Sequence, residues 1–160
     1  MLKDKDIRFK FIIDNKDLFK KGIFINEYDI NGKSRIDFAL FHENNFYGYE
    51  IKSEADNTSR LINQLKSYLK FFDYVYLIVH NKHKKETCEI LDRYKLNRVG
   101  VILVDDYVTF SKDREAKGLE KRTRLNSLIR NLKKEDLQEF INEKGLKINS
   151  NFIQWKWTCW

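Results

Sequence analysis

The spacing of hydrophobic and polar positions predicts that helices and strands alternate over the first two thirds of the chain. Apolar residues recur at helical spacing between Asp4 and Lys21, and Gly22 then supplies a stop signal. Three stretches rich in β-branched and aromatic residues follow, with a turn signal at Asn31–Gly32 between the first two. We expect these three stretches to be strands, at residues 23–28, 34–41 and 45–53.

The next part of the chain alternates between amphipathic and continuously apolar segments. Apolar positions at helical spacing predict helices, whereas short uninterrupted apolar runs are typical of strands that are covered on both faces. The predicted elements are a helix over 57–72 with Asp56 or Asn57 as its N-cap, a strand over 74–79, a helix over 86–95 and a strand over 99–104. This order predicts the α/β class, with a mixed sheet flanked by helices.

The character of the chain changes after Phe110. Ser111–Arg124 is dense in charge and predicts a mobile loop or a frayed helix start, and residues 125–141 carry a helical apolar stripe. The last ten residues contain three tryptophans. We therefore expect a core over residues 1–112. Residues 113–160 would form a basic, helical, Trp-rich appendage packed on it, because so short a segment rarely folds alone.

Composition narrows the class of partner and compartment. The chain has 31 Lys and Arg against 24 Asp and Glu, a formal net charge of +7, which allows a polyanionic partner. No apolar run approaches the roughly 18 residues that a membrane-spanning helix needs. The charged start of the chain lacks the apolar stretch of a signal peptide, and two cysteines are too few for a disulfide framework. We therefore expect a cytoplasmic protein without a membrane partner.

The hairpin between the second and third predicted strands carries the candidate chemistry. A two-residue turn at residues 43–44 pairs positions equidistant from it, which sets Asp37 opposite Glu50 and Ala39 opposite Gly48. Because side chains alternate along a strand, Asp37, Glu50 and Lys52 should share a face. Directly opposed Cβ atoms lie about 4.5–5.5 Å apart, so both carboxylates could reach one ion. The small pair Ala39 and Gly48 should leave space beside them.

Such a group of side chains suits phosphodiester hydrolysis. Two adjacent carboxylates repel each other unless a cation lies between them, and hard oxygen ligands favour Mg²⁺ or Mn²⁺. A metal held in this way can activate water and neutralise charge on a phosphate, and Lys52 would add a second positive charge. Gln64 and Tyr68, one helical turn apart on the following helix, are expected to reach the carboxylates or a bound phosphate.

These residues together resemble a known family of nucleases. Ile36-Asp37, then Gly48-Tyr49-Glu50-Ile51-Lys52, then Gln64-x-x-x-Tyr68 is similar to the PD-(D/E)XK nuclease superfamily, in particular its RecB-type and Holliday-junction-resolvase-like branches. The resemblance covers roughly residues 4–110. It implies a restriction-endonuclease-like core with the order α-β-β-β-α-β.

The resemblance also implies roles for individual residues. Asp37, Glu50 and the carbonyl of Ile51 would bind the metal, and Lys52 would be the catalytic lysine. Glu27 would be an additional upstream acid, although Asp29 competes for that role. Ile36 stands where the family pattern has a proline.

The sequence therefore predicts an Mg²⁺- or Mn²⁺-dependent deoxyribonuclease, most simply an endonuclease, with DNA as partner and with a homodimer allowed. Arg35 and Arg60 are the expected nucleic-acid contacts, Arg60 at the start of a helix that could face a phosphate. The alternative is a non-catalytic module that binds nucleic acid or protein on the same fold. Zinc is not expected, because the spacing of His80, His83 and Cys88 matches no closed structural site.

Overall fold

The structure, a computed structural model, describes residues 2–119 apart from residues 31, 33 and 44. Its helices are α1 (Asp4–Asp14), α2 (Lys16–Lys20), α3 (Leu61–Phe71) and α4 (Lys84–Arg93), with a 3₁₀ turn at Asn81–His83. Its strands are β1 (Ile23–Ile30), β2 (Ser34–His42), β3 (Asn45–Lys52), β4 (Tyr74–His80), β5 (Val99–Val104) and β6 (Phe110–Arg114). The helix predicted over 125–141, the Trp-rich tail and most of the predicted appendage lie outside the described residues.

The strands form one mixed sheet in the order β1-β2-β3-β4-β5-β6. The pairs β1/β2, β2/β3 and β5/β6 are antiparallel, whereas β3/β4 and β4/β5 are parallel. The central strands β4 and β5 are buried along almost their whole length, as their uninterrupted apolar sequences predict. The predicted α/β class and mixed sheet are confirmed.

Helices cover both faces of the sheet, which gives three layers. Leu61 and Leu65 of α3 and Leu91 of α4 pack in one buried cluster, on the side that we call the α3 face. Ile7 and Phe11 of α1 and Phe19 of α2 pack on the other side, the α1 face. Within the described part of the chain, no helix is long and apolar enough to cross a bilayer.

Helix α3 begins four residues later than predicted. Asp56 and Asn57, expected as N-caps, instead hold the preceding loop. Asp56 Oδ2 accepts hydrogen bonds from the Ser53 amide and hydroxyl at 2.8 and 2.7 Å, and Asn57 Oδ1 accepts from the Ser59 hydroxyl at 2.6 Å. Short polar side chains compete with the helix for backbone donors in this way, so the sequence pattern placed the helix start too early.

Residues 111–114 also differ from the sequence prediction. The loop or frayed helix expected there is wrong for these four residues, because they lie in β6 and pair with β5. A tight turn leads into the strand, where Asp105 Oδ1 accepts hydrogen bonds from the amides of Tyr107 and Thr109 at 2.9 and 2.8 Å. Charged side chains are ordinary on an exposed edge strand, so charge density alone did not distinguish a strand from a loop.

Candidate active site

The β2–β3 hairpin has the register that the sequence predicts. Ala39 pairs with Gly48 and Phe41 with Phe46, and His42 pairs with Asn45 across a two-residue turn. The predicted space beside Ala39 and Gly48 is not there, however. A Cβ atom on Gly48 would lie only 2.7 Å from the Ile36 side chain and 2.8 Å from Phe72. Gly48 therefore allows a close approach of the core rather than a cavity.

The two strands separate just where the acidic residues begin. The ladder ends at Phe38 opposite Tyr49, whose rings stack with centroids 4.7 Å apart, so the predicted direct pairing of Asp37 with Glu50 is wrong. Instead the Asp37 carboxylate replaces the missing backbone partner. Its Oδ2 accepts a hydrogen bond from the Ile51 amide at 2.6 Å. We call this place the β2–β3 split.

A break in side-chain alternation explains why simple strand geometry misplaced Asp37. Ile36 and Ala39 both pack on the α3 face, whereas Phe38 packs on the α1 face. Regular alternation would put residues 36 and 38 on one face. The alternation therefore breaks at Asp37. Its carboxylate contacts the main chain of β3 instead of lying directly beside the Glu50 side chain.

Strand β1 has a matching irregularity at Glu27. Its backbone φ is 51°, which is uncommon for residues other than glycine. It lies between the pairs Asn26–Phe38 and Tyr28–Ile36. Its carboxylate is half exposed and lies 3.5 Å from the Arg35 guanidinium. Asp29, the competing acid, accepts a hydrogen bond from the Gly32 amide at 2.5 Å. These contacts place Glu27 in a surface ion pair and Asp29 in a turn.

Glu50 is the centre of a buried polar cluster. Only 3% of the residue is exposed. Its Oε1 accepts hydrogen bonds from Lys52 Nζ at 2.8 Å and from Gln64 Nε2 at 2.9 Å, and its Oε2 accepts from the Tyr68 hydroxyl at 2.9 Å. Gln64 and Tyr68 thus both reach the carboxylate, as their spacing on one helix face predicts.

Lys52 and Tyr68 connect this cluster to its surroundings. Lys52 Nζ also donates to Gln64 Oε1 at 3.2 Å, so the ammonium group is held by two acceptors. The Tyr68 hydroxyl lies 2.8 Å from the carbonyl oxygen of Arg35, across the β2–β3 split. A phenol has one proton to donate, so the Arg35 carbonyl and Glu50 share it. The cluster therefore ties α3 to both separated strands.

The electrostatics of the site favour a proton or a cation. Burial raises the pKa of Asp37 to about 7, and the negative charge of Glu50 adds to the rise, while the Ile51 amide and Arg8 oppose it. Burial, followed by the charge of Glu50, also raises the pKa of Tyr68. The charge of Glu50 thus acts on the pKa of Asp37, which is the repulsion between carboxylates that the sequence predicts for this hairpin.

Sequence reasoning missed a charged network that reaches the site from α1. The Arg8 guanidinium donates through Nη2 to Asp4 and through Nη1 to Asn26, both at 2.5 Å, and Nη2 lies 3.6 Å from Asp37 Oδ1. The only sequence signal was the i, i+4 spacing of Asp4 and Arg8. Such pairs usually lie on a solvated helix face, which is why this one was overlooked.

The donor set at the split fits a hard divalent cation. Mg²⁺ is commonly held by one or two carboxylates with water and phosphate oxygens completing its shell, and Asp37 and Glu50 provide two such groups. Among the described residues, no three His, Cys, Asp or Glu side chains cluster in a way that could hold a metal. The two carboxylates would therefore leave most of the coordination shell of such an ion to water and substrate oxygens. The described contacts of Ile51 at the site involve its amide rather than its carbonyl.

The remaining sequence candidates lie around this centre. The Arg35 side chain is 65% exposed, and Arg60 lies exposed immediately before the first residue of α3. His80 is buried and fully engaged, with Nε2 2.9 Å from Asp106 and Nδ1 accepting from the Lys82 amide. Cys88 is a free thiol. These placements give His80 a structural role at the end of β4.

Comparisons with known proteins add a family and two distant structural likenesses. The model of the family described as bacteriophage P4 protein cII matches residues 7–155. A protein of unknown function from Silicibacter pomeroyi aligns with a TM-score of 0.48 and 16% identity, over 78% of this chain and 81% of its own. The Pyrococcus furiosus SfsA protein, solved in complex with Ca²⁺, aligns with a TM-score of 0.41 and 13% identity, over 68% of this chain and 61% of its own. A search of curated proteins found no match.

Proposed function

The chain belongs to the family of bacteriophage P4 protein cII, and we propose that it is a metal-dependent nuclease that hydrolyses DNA phosphodiester bonds. One observation carries the proposal. A buried Glu50–Lys52 pair is held by Gln64 and Tyr68 next to Asp37, where β2 and β3 separate. The proposal takes Mg²⁺ or Mn²⁺ as the cofactor and the cytoplasm as the compartment.

The charges around the split are consistent with this chemistry. Two groups of ion pairs lie at the split, Arg8 with Asp4 and Asp37, and Lys52 with Glu50. Together they carry a net charge of −1 when all five are ionised. A divalent cation would change the sum to +1. One phosphodiester carries a single negative charge, so the loaded site would be electrically matched to its substrate.

Each side chain then has a definite task. Asp37 and Glu50 would hold the metal, which when bound supplies an activated water and neutralises charge on the phosphate. Lys52, kept in place by Glu50 and Gln64, stabilises the negative charge that develops on the phosphate oxygens during attack. Gln64 and Tyr68 fix the direction of the Glu50 carboxylate. Arg35 and Arg60, both exposed, would contact the flanking backbone of DNA.

Cleavage assays on duplex, single-stranded and branched DNA test the proposal. We expect Mg²⁺- or Mn²⁺-dependent cleavage that chelation abolishes, and a loss of about 100-fold or more in Asp37→Asn, Glu50→Gln and Lys52→Met. Lys84→Met is the matched control, because Lys84 also pairs with a carboxylate, that of Asp113, but lies on an exposed surface.

Three results would decide the matter. Activity in the control that matches the wild type, together with loss in the three site variants, supports the nuclease. Absence of cleavage on every DNA substrate with either metal contradicts it. Faster cleavage of RNA than of DNA under the same salt would move the substrate class to RNA.

A second candidate is a non-catalytic module that binds nucleic acid or protein. It is favoured by the fact that both Glu50 oxygens already have protein partners. Calorimetric titration with Mn²⁺ separates the two functions. Binding that disappears in Glu50→Gln supports the nuclease, whereas DNA binding without any metal binding supports the module.

A further inference from the structure

We propose that Arg8 is the resident counter-ion of Asp37, and that Arg8 and a divalent cation compete for this carboxylate. The inference rests on the proposed function and concerns the regulation of the same site. It would make the metal affinity of the protein depend on a residue of α1 that touches no substrate and holds no metal.

The guanidinium reaches the site from a different layer of the fold. Arg8 lies on α1 and is largely buried, with 14% of its side chain exposed. Asp4 on the same helix and Asn26 on β1 each accept one of its hydrogen bonds at 2.5 Å. These two bonds hold the positive charge beside Asp37, at the β2–β3 split.

The contact with Asp37 is the weakest of the three. Arg8 Nη2 lies 3.6 Å from Asp37 Oδ1, longer than a hydrogen bond, so the attraction there is one of charge alone. Asp37 Oδ2 is occupied by the Ile51 amide at 2.6 Å. Oδ1 is therefore the oxygen that remains for a cation, and it is the one that faces the guanidinium.

Within the described part of the chain, one nitrogen of the Arg8 guanidinium has no hydrogen bond to lose. Arg8 Nε is buried and has no hydrogen-bond partner among the described residues, so a shift of the guanidinium breaks no bond at that nitrogen. A cation bound to Asp37 Oδ1 would lie close to the Arg8 guanidinium, which faces the same oxygen. The two positive charges would repel each other strongly at so short a distance inside a protein. Arg8 therefore opposes binding of the metal, while in the metal-free protein it offsets part of the charge of Asp37.

The closing experiment measures Mn²⁺ affinity of the full chain by calorimetry at a fixed, mildly alkaline pH. Arg8→Gln removes the charge and keeps a side chain that can bond to Asp4 or Asn26, whereas Arg8→Lys keeps the charge. We expect Arg8→Gln to bind Mn²⁺ about tenfold more tightly than the wild type, and Arg8→Lys to remain close to it. Lys10→Gln is the matched control, since Lys10 forms an exposed ion pair with Asp14 on the same helix.

The sign of the change separates this role from a merely structural one. If Arg8 only braced Asp37, its loss would loosen the site and weaken Mn²⁺ binding. Unchanged or weaker binding in Arg8→Gln, with the wild type binding Mn²⁺, overturns the inference and leaves the proposed function intact. Absence of Mn²⁺ binding in both proteins overturns both. Circular dichroism checks that each variant is folded, and Arg8→Met replaces the glutamine variant if that one is not.

Discussion

Asp37 combines a structural and an electrostatic task in one side chain. Its Oδ2 completes the hydrogen bonding of β3 where β2 departs, and its Oδ1 faces a cationic side chain. Most replacements of Asp37 therefore affect both the sheet and the charge of the site. The amide analogue Asn is the gentlest change, because its oxygen can still accept from the Ile51 amide.

The raised pKa of Asp37 leads to a prediction about stability and pH. Because burial raises this pKa to about 7, the folded protein favours the protonated acid. Its contribution to stability is then complete below the pKa of the unfolded chain, about 4, and is lost as the pH rises towards 7. The loss amounts to a few kcal/mol at most.

Urea unfolding in chelator, at several pH values across this range, measures the effect. We expect the free energy of unfolding of the wild type, relative to that of Asp37→Asn, to fall as the pH rises. A difference between the two proteins that does not vary with pH would contradict the prediction. Added Mn²⁺ should reverse the fall at the upper end, since a cation then compensates the ionised pair.

At the scale of single elements, the end of α4 shows how an L-residue can occupy a glycine position. Lys95 has a φ of 53°, and the amides of Lys95 and Leu96 bond back to the carbonyls of Asp92 and Leu91 at 3.1 and 2.8 Å. This is the Schellman arrangement, in which glycine is the usual residue at the left-handed position.

We therefore expect Lys95→Gly to stabilise the protein. The free energy gained by relieving the left-handed backbone strain should exceed the cost of ordering glycine, which is more flexible in the unfolded chain. The net increase in the free energy of unfolding should be about 0.5–1 kcal/mol. Chemical unfolding measures this gain. Lys95→Ala, which removes the side chain but keeps the Cβ atom, should show no comparable gain; an equal gain would mean that the strain is not the cause.

The elements themselves were largely predictable from the sequence. The two-residue turn predicted the register of the hairpin as far as Phe38 and Tyr49, and the apolar run of β5 predicted its bounds, Val99–Val104. The break at Asp37 was not predictable, because it accompanies an irregularity at Glu27 on the neighbouring strand β1 that no pattern within β2 or β3 shows. Arg8 was missed because no pattern along one helix shows that a charged residue will face a sheet.

At the scale of the whole molecule, the burial of several tyrosines leads to a prediction about how their hydroxyl groups titrate. The pKa of Tyr28, Tyr47, Tyr49, Tyr68 and Tyr76 is raised, in each case mainly by burial. Their protonated forms therefore stabilise the fold, and this contribution is lost as the pH rises above about 10.

The near-ultraviolet absorbance of phenolate follows this titration directly. At a pH of about 10 we expect the folded protein to show far less phenolate than the same chain in urea, where tyrosines titrate at their ordinary value. The five tyrosines whose pKa is raised by burial should ionise mainly when the protein unfolds. A folded curve that coincides with the curve in urea would contradict the three-layer burial.

The bond between the Ile51 amide and Asp37 has a consequence for observing the site. A main-chain proton that points at a carboxylate senses whether that group carries a proton, a cation or neither, so its resonance frequency and its rate of exchange with deuterium follow the occupancy of the centre. One peptide group in the middle of the sheet thus reports on the occupancy of the site, and it can be followed without substrate or turnover.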